Sequence, residues 1–191
     1  MADIGTNTRD GAPAIGWRVW HVREDRLHSW AVKATWSPGD NSAECLDAVP
    51  CSDVPGRRCQ CGFWALWTAR QCLDRFQADT GVVRVLGLVS GWGSIAIHGR
   101  EGFRGQYAAV RCLFTDPWAA RGPRPLAAWI MTKMGHRKAP DDDASRQEIL
   151  HRVAEAYGVP LLSVVDADRY GLLSEFGAHT EAHPPAGWRQ T

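Results

Sequence analysis

Lysine is nearly absent from this chain: of 22 basic residues only Lys33, Lys133 and Lys138 are lysine, and the rest are arginine. The arginines are scattered, which fits a GC-rich coding bias better than a surface built to read phosphates or carboxylates. An excess of either charge is missing too, the formal net charge being +1. That balance excludes a global attraction to nucleic acid or to an anionic membrane and leaves any such binding to a local patch. No run approaches the roughly 20 apolar residues of a membrane span. Met1 to Ala14 has no basic segment leading into an apolar one, so a cytoplasmic protein is expected. Catalytic signatures are also lacking. There is no G-x-S-x-G elbow, P-loop, Rossmann glycine fingerprint or H-E-x-x-H helix, so no named enzyme mechanism is indicated.

What is present is enough for a folded domain. In 191 residues, 45% are hydrophobic and 23% charged, the balance of a globular chain with a full core. Four of its six cysteines, Cys45, Cys51, Cys59 and Cys61, crowd into one short stretch. In a reducing compartment such a cluster reads as a metal site before it reads as disulfides, and four thiolates complete a tetrahedral shell for a structural Zn2+. The Cys59–Cys61 spacing is tighter than a C-x-x-C knuckle, so reactive thiols stay open as an alternative. A helix beginning at Phe63 would place its positive end beside Cys61 and favour the thiolate. Cys72 and Cys112 sit in apolar surroundings and are expected as core thiols.

Periodicity predicts an α+β fold: a curled antiparallel sheet of about five strands, one packed helix, a zinc-clamped loop and a small C-terminal α/β appendage. Gly16 to Val22 alternates in strand fashion, and Leu27 to Trp36 can return beside it as a hairpin. About twenty residues rich in Pro, Asp and Cys then lack any period, which is unusual unless something ties them down. Phe63 to Ala78 spaces its apolar residues as a helix. Glycine-separated apolar runs from Val82 to Thr115 read as a three-stranded meander. The expected organisation is a mobile tail at 1–15, a core at 16–116, a basic-then-acidic linker or insertion at 117–143, a helix-strand-helix at 144–177 opened by Ser145 and Glu148, and a tail at 178–191.

Two further groups could carry binding. Ten tryptophans are far above ordinary usage; Trp17 and Trp20 differ in strand parity, so one faces outward unless both faces of the sheet are covered. An outward tryptophan could stack on a base or on a partner's surface. Trp92, His98, Glu101 and Arg104 stand around one turn, where they could grip an anionic ligand, although a charged hairpin tip explains the same residues. Arg121, Arg124, Arg137 and Lys138 make the 117–139 stretch basic. The expected function is a non-enzymatic, zinc-stabilised binding module, regulatory in role, that engages nucleic acid or a protein partner through tryptophans and arginines and avoids membranes. Its rival is a small zinc or thiol enzyme, and an inhibitor of a host complex is a further reading.

The Gly-Trp-Arg-Val-Trp start, the Pro-Gly-x-x-Cys-x-Cys-Gly-Phe-Trp-Ala run at 55–65 and the segment at 87–104 together resemble a poorly characterised group of small actinobacterial and actinophage proteins. The likeness covers about residues 16–115. It implies a metal ligand at Cys51, where the group commonly carries Cys or His, and implies no activity. A Trp-rich, partly closed sheet also resembles PUA-like nucleobase readers at the level of fold.

Overall fold

The computed structural model of the chain describes residues 3–7, 13–75, 82–115 and 143–163. Its strands are β1 (Asp3–Asn7), β2 (Ala14–Arg23), β3 (Arg26–His28), β4 (Asp40–Ser42), β5 (Phe63–Leu66), β6 (Arg84–His98), β7 (Gly102–Phe114) and β8 (Leu161–Leu162), and its helices are α1 (Ala69–Arg75) and α2 (Asp143–Tyr157). The fold is α+β, as expected, but among the described residues the sheet has eight strands and is mixed, because β8 runs parallel to β7. Pairings β2–β6, β6–β7, β7–β5 and β5–β2 complete a ring.

Gly91, expected between two strands, and Gly87, expected within one, allow that ring to close. A Cβ on Gly91 would lie 2.5 Å from the Phe103 ring, and one on Gly87 would lie 2.4 Å from the Cys112 carbonyl oxygen. Such glycines give neighbours room without turning the chain. The expected meander is therefore one long hairpin, β6 followed by β7. It bends at a bulge between Trp92 and Ile95, where Gly93 takes φ +77°.

The helix expected from Phe63 starts later. Phe63–Leu66 pairs with Gly102–Gly105 as a strand, because the sheet edge offers it a full set of backbone partners. Thr68 then opens α1 with a reciprocal capping box: Gln71 N–H donates to Thr68 Oγ1 at 3.3 Å, and Thr68 N–H donates to Gln71 Oε1 at 2.9 Å. The N-terminal tail is also corrected, since Asp3–Asn7 pairs with β6. The first hairpin is shorter on its return side, ending at His28 after a two-residue turn with both φ positive, at Glu24 and Asp25.

Both faces of β2 are covered. Trp20 lies in the larger core with Trp36, Trp67, Phe103 and the α2 side chains Leu150, Val153 and Tyr157. Trp17 lies in a second core with Leu86, Leu88, Phe114 and Cys72 of α1. The C-terminal α2 therefore shares the main core and is not an appendage. It begins two residues before Ser145, and Gly158 at φ +62° follows its last turn. Tyr157 Oη donates to Trp36 O at 2.6 Å and accepts from Leu27 N–H at 3.0 Å, tying α2 to the first hairpin. Among the described residues no helix is long and apolar enough to cross a membrane.

Candidate metal centre

Between β4 and β5 the chain runs without regular structure, and all four clustered cysteines lie on it. Their Sγ atoms lie within 4.8 Å of one another. Cys51 Sγ is 3.4 Å from Cys61 Sγ and 3.6 Å from Cys59 Sγ, and Cys59 and Cys61 approach to 2.6 Å. Sulfurs in a tetrahedral thiolate shell of zinc dimensions sit roughly 3.8 Å apart. The arrangement is compatible with a metal site, and soft thiolate donors select zinc, copper(I) or iron–sulfur chemistry over magnesium or calcium.

The backbone is shaped around those sulfurs. Gly56 N–H donates to Cys61 Sγ at 3.2 Å. A Cβ on Gly56 would lie 2.8 Å from Cys51 Sγ and 2.9 Å from Cys59 Sγ, so only glycine fits there. The thiols do not ionise alike. Burial pushes Cys51 up to about 12, helped by its hydrogen bonds with Cys61, Cys45 and Cys59, and burial raises Cys61. Burial also works to raise Cys59, but hydrogen bonds from Cys61, Cys51 and Gly56 outweigh it and bring Cys59 down to about 7. Crowded thiols of this kind share protons, and a divalent ion would displace them on binding. Because Phe63 begins a strand, no helix end acts on Cys61, and its shift runs opposite to the one expected.

Arg104 holds this loop to the sheet. Its side chain is only 1% exposed. Nη1 donates to the carbonyls of Cys59 and Cys61, both at 2.8 Å, Nη2 donates to Gly56 O at 3.3 Å, and Nε donates to His98 Nε2 at 2.9 Å. The guanidinium also lies over the Trp64 ring at 5.4 Å, and Trp64 packs on His98 at 4.3 Å. Since His98 Nε2 accepts, its ring is neutral with the proton on Nδ1. Burial and the neighbouring Arg104 charge both lower its pKa.

The residues expected around the β6–β7 turn thus separate. His98 and Arg104 meet at the cysteine loop. Glu101 pairs with Arg75 of α1, while Trp92 stacks on Tyr107 at 6.1 Å beside the bulge. Trp17 and Trp20 are 3% and 0% exposed, so neither offers a stacking face. Arg121, Arg124, Arg137 and Lys138 lie outside the described residues. Sequence reading missed the part played by Arg104; the available signal was an arginine set beside Phe103 between two glycines, Gly102-Phe103-Arg104-Gly105. Cys72 and Cys112 are buried, as expected. Comparison with protein-family models, with curated proteins and with solved structures finds no match to this chain.

Proposed function

We propose that this protein is a zinc-stabilised, non-enzymatic binding module that presents its metal loop to a protein partner in a reducing, cytoplasmic setting. The observation that carries this reading is the closed set of four sulfurs within 4.8 Å. Four protein thiolates fill a tetrahedral shell, whereas a catalytic zinc keeps one position for water. An open cleft lined by Leu66, Gln71, Asp74, Arg75 and Glu101 places no thiol or histidine beside its carboxylates, so it does not favour an enzyme either.

A protein partner is favoured by what the loop displays. Leu46 is 72% exposed and Val49 is 86% exposed, and both stand between Cys45 and Cys51. Apolar side chains held outward on a clamped loop are pre-organised contacts, with little ordering left to lose on binding. Nucleic acid would instead be engaged through Arg121, Arg124, Arg137 and Lys138. The test has two steps. Elemental analysis with a thiol count should find one equivalent of zinc and four thiols protected until chelation. Pull-down with wild type against Leu46→Asp/Val49→Asp, beside a low-salt gel shift, should then show a protein captured by wild type only. A gel shift lost on reversing the four basic residues, with no captured protein, would overturn the partner class.

A further inference from the structure

Arg104 is a buried cation whose bonding partners are all neutral: three backbone carbonyls and the Nε2 of a neutral histidine. Among the described residues no carboxylate pairs with it. Carbonyl dipoles offset only part of what a guanidinium loses on leaving water, and a buried charge with no opposite charge nearby is strongly unfavourable. The cysteine cluster is a place for an opposite charge, because two of the carbonyls that Arg104 grips belong to Cys59 and Cys61 themselves. Four thiols are neutral. Four thiolates around a divalent ion carry a net charge of −2, and that centre would supply the missing partner.

We propose that Arg104 is the counter-charge of an anionic four-thiolate centre, so that its charge, beyond its hydrogen bonds, sets how tightly the cysteines hold their ion. This rests on the metal reading above and adds a positioning residue that is not a ligand. The coupling runs both ways: the loaded centre stabilises buried Arg104, and Arg104 stabilises the loaded centre. It also explains why an arginine stands here. Nη1 of the planar guanidinium reaches both carbonyls of the Cys-x-Cys unit while Nη2 reaches Gly56 O.

The test measures Zn2+ affinity by competition with a chromophoric chelator at fixed pH, on full-length wild type, Arg104→Lys and Arg104→Met, with circular dichroism to count folded protein. Arg104→Met is expected to bind zinc about 10- to 100-fold more weakly, and Arg104→Lys, which keeps the charge but loses the fork, within about threefold of wild type. Arg18→Met is the control. The Arg18 guanidinium bonds Trp64 O and Ser29 Oγ and no carbonyl of the cysteine loop, so its loss should leave zinc affinity unchanged. Equal affinities for wild type and Arg104→Met, or an equal loss in Lys and Met, would overturn the counter-charge while the zinc site stands. A wild type that binds no zinc overturns both readings. If Arg104→Met does not fold, Arg104→Gln takes its place: binding at least about tenfold weaker supports the proposal and any smaller loss overturns it.

Discussion

The strand ring and the cysteine loop are ordered by different means. In the ring, long apolar strands bury Trp20, Trp36, Trp67, Phe103 and Leu113 almost completely, and the hydrophobic effect sets the packing. Between Ala43 and Cys61 almost everything is exposed or half-buried, and Pro55 and Gly56 are the buried exceptions. That stretch is held by sulfur contacts and by one arginine. The lesson is that a chain can fix a segment with no core of its own, provided a few polar anchors converge on it. The two regions should therefore fail separately.

The largest effect should come from the ring. Trp20→Ala empties a fully buried site and is expected to lower unfolding free energy by about 3–5 kcal/mol, read by denaturant titration, with α2 lost in the same transition. Chelation, or Cys59→Ser, should act on the other region. Trypsin should then cut at Arg57 or Arg58, both exposed, while near-ultraviolet dichroism of the buried tryptophans is retained. If chelation instead melts ring and loop together, the separation is wrong and the metal is part of the main folding unit. Tyr157→Phe removes the hydroxyl that serves Trp36 O and Leu27 N–H; a loss of about 1–3 kcal/mol is expected, confined to the ring.

A smaller effect should mark the seam between the regions. His98 is held neutral, its pKa lowered first by burial and then by Arg104. The unfolded chain therefore takes up this proton first as pH falls. The contribution of His98 is present in full above its ordinary value near 6.5 and is lost as pH drops through the lower folded value. The stability difference between wild type and His98→Gln should shrink or change sign between about pH 7 and 5.5; a difference independent of pH would show that His98 does not titrate with folding.

Much of this was legible in the sequence, and the reasons for the gaps are local. The cysteine set and the α+β class were readable because thiols of that density and strands of that length have few other uses. α2 was readable from its Ser145–Glu148 capping pattern, which sets the start two residues late, and from its Gly158-Val159-Pro160 stop. Phe63 to Leu66 was misread because four apolar residues before a helix satisfy a 3.6-residue period as well as a 2-residue one, and only the pairing with β7 decides. Thr68-x-x-Gln71 did signal the true start. Gly91 misled because close packing against Phe103 leaves the same letter as a turn. Trp17 and Trp20 could not be assigned without knowing that helices cover both faces.

Ring closure also bears on how this chain meets copies of itself. An open sheet of long strands would present a continuous row of unpaired N–H and C=O groups, ready to capture another chain's strand. Here β6 and β7, the longest strands, are paired with each other and with further strands on their outer sides. The strands left at the margins are short: β1 has five residues, β3 and β4 have three each and β8 has two. Among the described residues, strands rich in β-branched and aromatic side chains thereby offer little template for pairing with the edge of another copy.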